Sequence, residues 1–263
     1  MILSEYRPRD KVSEVCTEEH LLRQWVERFA APRDYQWQMR RNRETLGLLE
    51  EAFRDLGYMT EHQGSLRNLV AFSPDRSRSG ARLVCAHYDS VRTTPGADDN
   101  ASGLAVMLAC AARLSGKNLE HPVGFVAFNA EEDNLRGSRE LALSLVGVDH
   151  GIAEAHVLEM VGYCSHDPGS QRSLEGLPIS APTTGDFIGL ASQGPSNRIA
   201  RQIQRLAKAR NSPLPVVTLR TYFKIHEKIA VLHRSDHKPF WDVGVPAILW
   251  TDTAEFRNPN YHR

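Results

Sequence analysis

Apolar residues in this chain fall into short runs separated by longer stretches of helical spacing. Residues 83–86 (LVCA) form a compact run with β-branched character, the pattern of a strand buried on both faces. Runs at 122–130 (PVGFVAFNA), 153–160 and 245–250 predict further buried strands, and shorter ones at 67–72, 187–191 and 215–219 add to them. Residues 17–30 predict a helix with Thr17 as its N-cap, ended by Pro32. Across 40–56, Leu46, Leu49, Phe53 and Leu56 recur at helical spacing, and Gly57 suits the position that closes a helix. More helices are predicted at 101–114, 135–146 and 197–210, the last with a basic outer face. Residues 164–184, rich in Gly, Pro and Ser, predict a long loop fit to wall a site, and 222–234 follow no clear period. Strands alternating with helices along one polarity profile predict a single α/β domain over 1–263, with 1–39 as an N-terminal helical extension.

Composition narrows the partners. Lys and Arg total 32, as do Asp and Glu, leaving a formal net charge of zero and no general attraction for nucleic acid or an anionic membrane. The hydrophobic share of 41% is that of an ordinary soluble domain and excludes disorder. Cys16, Cys85, Cys110 and Cys164 have no paired spacing and are expected to be reduced thiols. The first residues lack the apolar core of a signal peptide, and no run is long enough to span a bilayer. A cytoplasmic location is the expectation. Nothing in the pattern specifies an oligomeric state.

Candidate chemistry sits where strands stop. The run at 83–86 ends at His87, Tyr88 and Asp89, the one at 122–130 at Glu131 and Glu132, and the one at 153–160 near Glu159. In an open α/β sheet, ligands collect beyond the carboxyl ends of the strands. The loop after the first run carries Asp98, Asp99 and Asn100. Taken alone, that stretch also fits a solvated strand end followed by a helix capped by Asp99 or Asn100. Taken together, imidazole and carboxylates at three strand ends suit a divalent metal such as zinc. Their number suffices for a two-metal hydrolytic site, in which one carboxylate bridges the cations and another activates water.

The pieces AHYDS, PGADDNASG, FVAFNAEEDNLRGS, VLEMVGY, SDHKPFWDVGVPA and FRNPNYH stand in this order from about residue 40 to the C-terminus. They resemble the M28 family of zinc peptidases, the bacterial aminopeptidase type. The resemblance implies a three-layer α/β/α sandwich around a mixed, mostly parallel sheet, two zinc ions at the strand ends, and a peptide substrate. By motif, His87 matches a ligand of the first metal and Asp89 the residue that orients it. Asp99 matches the bridging ligand, often followed in the family by a cis peptide. Glu131 matches the general base and Glu132 a ligand of the second metal. Glu159 falls at a ligand position where many relatives have Asp. His262 matches the last ligand, and Tyr261 a residue that hydrogen-bonds the oxyanion. His237 matches a position that supports the site rather than binding zinc, with Asp236 beside it as a helix N-cap, and Gly137 matches scaffold that allows close packing. Family chains usually run on past the last ligand, whereas His262 is next to last: the resemblance implies either a truncated chain or a weaker hold on the second metal. Two alternatives stay open: a one-zinc acyltransferase like the glutaminyl cyclases, which lack the PGADDN pattern, and a non-catalytic binding domain of the same fold.

Overall fold

Period-two burial organises the centre of the molecule, for which a computed structural model describes residues 14–74, 78–148, 151–173 and 182–263, with side chains from residue 18 onward. In β2 (Asn68–Phe72) and β4 (Val123–Phe128), Leu69, Ala71, Phe125 and Ala127 face one side. Val70, Phe72, Val126 and Phe128 face the other, so both faces are covered and these strands, Asn68 apart, carry no polar side chain. With β1 (Met59–Gln63), β3 (Ala81–His87), β5 (Ile152–Leu158), β6 (Ile188–Gln193), β7 (Val216–Thr221) and β8 (Ala247–Thr251) they form one sheet, in the order β1-β2-β4-β3-β5-β8-β6-β7. The central strands β4, β3, β5 and β8 are mutually parallel. The pairs β1–β2, β2–β4 and β6–β8 are antiparallel, so the sheet is mixed, as expected.

Helices cover both faces. On one side, α1 (Glu14–Phe29), α2 (Met39–Asp55) and α3 (Gly103–Leu114) bring Phe29, Leu49, Phe53 and Met107 against Phe125 and Leu158. α5 (Ser196–Ala209) continues that layer, since Trp250 packs against both its cluster and the larger one. On the other side lie α4 (Arg136–Ser144) and α6 (His237–Asp242), whose Leu141, Phe240 and Trp241 seal Leu83, Phe128 and Val157. The result is the three-layer α/β/α arrangement. Among the described residues no helix is long and apolar enough to cross a membrane, and Cys85, Cys110 and Cys164 are free thiols.

Local departures have local causes. α1 starts at Glu14, so Thr17 lies inside the helix and is not its cap. Asp236 precedes α6 but makes no capping hydrogen bond. β1 was not anticipated: its residues are exposed or half-buried, with no apolar run such as marks the inner strands, and its pairing with β2 alone defines it. α3 begins at Gly103 rather than 101, after a distorted turn at Ala97–Ser102 in which Asn100 Oδ1 accepts the Gly103 N–H at 3.1 Å. Asn100 therefore supplies a local cap for the helix start. Residues 174–181 of the long loop lie outside the described residues.

Candidate metal centre

Because β3, β4 and β5 are parallel neighbours, their carboxyl ends reach the same edge of the sheet. His87 is the last residue of β3 and is fully buried. Glu159 directly follows β5. Glu131 and Glu132 follow β4 after Ala130, whose φ of 55° turns the chain across the edge. Asp99 comes from the turn at Ala97–Ser102, and the Asp99–Asn100 peptide is cis. Asn100 fastens this turn to the neighbouring strand end: its Nδ2 donates to Leu158 O at 2.8 Å and its Oδ1 accepts from Met160 N–H at 3.3 Å. His262 arrives from the far end of the chain.

The predicted residues converge. His87 Nε2 lies 3.1 Å from Asp99 Oδ1, 3.4 Å from Glu159 Oε1 and 3.9 Å from Glu131 Oε2. The other oxygen of Asp99, Oδ2, lies 3.0 Å from His262 Nε2, which is 3.7 Å from Glu132 Oε2. One carboxylate therefore stands between two imidazoles, each with a further acid beside it. Asp89 does more than face His87 Nδ1 at 3.4 Å. Its two oxygens accept the N–H groups of Glu131 (3.1 Å) and Glu132 (3.3 Å), so it fixes the strand end that carries both acids. Ser235, which the sequence did not single out, donates to Glu159 Oε2 at 2.8 Å, and Val91 N–H donates to Glu132 Oε1 at 3.1 Å. The signal for Ser235 was its place at the head of SDHKPFW. His237 lies elsewhere: it is buried, bonds Leu232 O at 2.9 Å and packs edge-on against Trp241.

This much buried acid is electrostatically costly. Burial, with the Asp99 charge adding to it, pushes Glu132 up to about 9. Burial also raises Glu131 well above the carboxylate range, with Glu159, Asp236 and Glu132 adding to the rise, and raises Glu159 itself. Burial alone would raise Asp99 and lower His87. The hydrogen bond from His262 and the neighbouring His87 reverse the first and hold Asp99 low, while Glu159 and Glu131 reverse the second and lift His87 well above the imidazole range. Asp99 Oδ1 is buried without a hydrogen-bond partner although His87 is adjacent. An oxygen aimed at a shared space but unbonded, among oxygen and imidazole donors with excess negative charge, fits a divalent cation.

A cavity of about 200 Å³ opens beside this cluster. Asp99, Glu131, Glu132 and Glu159 are part of its lining, together with the apolar Phe187, Ala191, Leu219, Leu249 and Phe256 and the polar Gln171, Arg172, Arg234 and Glu255. Tyr261 stands at its margin, with its ring stacked on His262 at 3.8 Å and its hydroxyl accepting from Arg234 Nη2 at 2.8 Å. Burial keeps the phenol neutral by pushing it up.

The model of peptidase family M28 matches residues 68–263. YfbL of Escherichia coli strain K12 is 33% identical over 211 residues, covering 76% of this chain and 63% of that protein; the chain thus spans under two thirds of this relative's length. Among solved structures, the Legionella pneumophila LapA aminopeptidase aligns with a TM-score of 0.69 at 17% identity, over 99% of this chain and 70% of that one. The glutaminyl cyclase of Porphyromonas gingivalis aligns with a TM-score of 0.62 at 18% identity, over 90% of this chain and 82% of that one. At these identities the two structures speak for the fold.

Proposed function

The chain belongs to peptidase family M28, and on that premise we propose that it is a zinc-dependent aminopeptidase that removes apolar residues from the amino end of peptides. The observation that carries this reading is the single Asp99 carboxylate placed between His87 and His262, each with its own acid partner. In the proposal His87, Asp99 and Glu159 hold one zinc, and Asp99, Glu132 and His262 hold the second. Bound zinc supplies Lewis acidity, which makes a water more acidic and polarises a scissile carbonyl. Glu131 takes the proton of the attacking water and returns it to the leaving amine. Burial raises its affinity for that proton. Asp89 holds His87 in orientation while fixing the backbone of Glu131 and Glu132. Tyr261, neutral and oriented by Arg234, donates to the oxygen that becomes negative as the carbonyl is attacked. The carboxylates of the lining receive a substrate ammonium, and its apolar residues, Ala191 among them, take the side chain.

Glu131→Gln tests the assignment. The variant is expected to bind zinc in unchanged amount and lose about 10²–10⁴-fold in kcat on leucyl or phenylalanyl amides. Near-normal turnover overturns the role of Glu131. A panel of aminoacyl amides, with and without chelator, tests the rest: leucyl and phenylalanyl amides should exceed lysyl and glutamyl ones, and chelation should abolish all. The fold shared with a glutaminyl cyclase gives one rival reading, one-zinc acyl transfer. Metal counting separates them, because two tightly held zinc ions support the peptidase and one supports the cyclase-like chemistry.

A further inference from the structure

Residues before 68 lie outside the segment matched by the family model, yet one of them reaches under the candidate centre. Arg33 is fully buried. Its Nε donates to Tyr88 O at 2.8 Å, Nη1 to Pro95 O at 2.8 Å and Phe29 O at 3.1 Å, and Nη2 to Gly96 O at 3.0 Å. Its backbone N–H donates to Ser90 Oγ at 3.0 Å. Tyr88 separates His87 from Asp89, and Pro95 and Gly96 lead directly into the turn that delivers Asp99. Gly96 (φ 56°) is packed so closely there that a Cβ would lie 2.3 Å from Asp99 O and 2.9 Å from Arg33 Nη1. A buried guanidinium is ordinarily matched by a carboxylate. This one bonds backbone carbonyls instead, and the charges of Asp89, Asp99 and Glu132 act on it without a direct contact.

We propose that Arg33 is a positioning residue, which holds the turn at Ala97–Ser102 so that Asp99 is in bridging geometry before any metal binds. This rests on the two-metal reading of Asp99. A guanidinium can do this because its five donors fan out in a fixed plane toward carbonyls in several directions; an ammonium offers three donors at one point. With the turn already ordered, metal binding does not have to supply its ordering entropy.

Hydrogen–deuterium exchange of the wild-type protein, zinc-loaded and chelator-treated, reads the first half of the proposal without any variant. Peptides covering 95–102 are expected to be equally protected in both states, and loss of their protection on chelation overturns the proposal. Arg33→Lys reads the second half. The folded variant is expected to exchange at least tenfold faster across 95–102 when zinc-free, and to bind zinc about tenfold more weakly in competition with a chromophoric chelator. Its kcat should fall with KM little changed. A residue that only supports the fold would lower Tm and leave the zinc affinity of the folded variant alone, and that result also overturns the proposal. Should the wild-type protein bind no zinc at all, the two-metal reading fails by itself, and exchange at 95–102 still decides whether Arg33 holds the turn.

Discussion

Asp99 presents Oδ1 to His87 and Oδ2 to His262, at 3.1 and 3.0 Å. Substitutions at Asp99, His262 and Asp89 should therefore be distinguishable by metal counting. Asp99→Asn is expected to lose both zinc ions, and His262→Ala one, the ion on the half without Glu159. Asp89→Asn leaves every proposed ligand in place and should weaken zinc about 10–100-fold, since it removes the charge that orients His87; equal zinc binding in all three variants would contradict the bridging geometry. His237 makes a separate prediction. Burial lowers its pKa from 6.5 to about 3, so the folded protein keeps it neutral while the unfolded chain takes up a proton below 6.5. Its contribution to stability is therefore full above 6.5 and declines as pH falls toward 3. The difference between thermal melts of His237→Gln and wild type should be constant above pH 6.5 and change steadily as pH falls from 6.5 toward 3, and a difference independent of pH would refute this. Residues such as His87, Glu131 and Glu159 were legible because each ends an apolar run, where side chains leave the core. Arg33 was not: it follows Pro32 in a polar stretch, and its carbonyl partners are contributed by backbone that carries no sequence signal.

The strand ends do their work only while the elements behind them stay in register. α4 packs onto β4 through Gly137, where a Cβ would lie 2.2 Å from Asn129 O and 2.5 Å from Asn68 Oδ1. Neither contact is a flexible side-chain end, since Asn68 Oδ1 also accepts the Asn129 N–H at 3.1 Å. Gly137→Ala is expected to cost about 1–3 kcal/mol in urea denaturation. Because Asn129 precedes Ala130 and the two acids, its kcat should fall as well. A variant with wild-type stability would show that this helix has more room than the packing allows. Inner strands and amphipathic helices were legible because burial on fixed periods writes itself into the sequence. The edge strand β1 was not, since a strand paired on one side and open on the other needs no apolar alternation. The Thr17 cap failed for a related reason: a polar residue near a helix start satisfies the pattern whether or not the helix extends past it.

On the scale of the whole molecule, the apolar clusters on the two faces of the sheet are built without the acidic edge. The cluster on one face holds Phe29, Leu49, Phe53 and Phe125, and that on the other holds Leu83, Phe128, Val157 and Phe240. Removing zinc should thus leave the fold standing while exposing the mutual repulsion of Asp99, Glu131, Glu132 and Glu159, against which burial raises the proton affinity of the three glutamates. Chelated protein is expected to keep its far-ultraviolet circular dichroism. Its Tm should rise on adding zinc, because a ligand that binds only the folded state stabilises it by about 2.7 kcal/mol at a hundredfold excess over Kd. For a chain of this size that corresponds to a shift on the order of 5–10 °C, read by scanning calorimetry at several zinc concentrations. The shift should grow with the logarithm of free zinc and vanish in Asp99→Asn. A Tm indifferent to zinc would mean that the acids at the sheet edge are neutralised by their own protons and by Arg33, with no cation between the imidazoles.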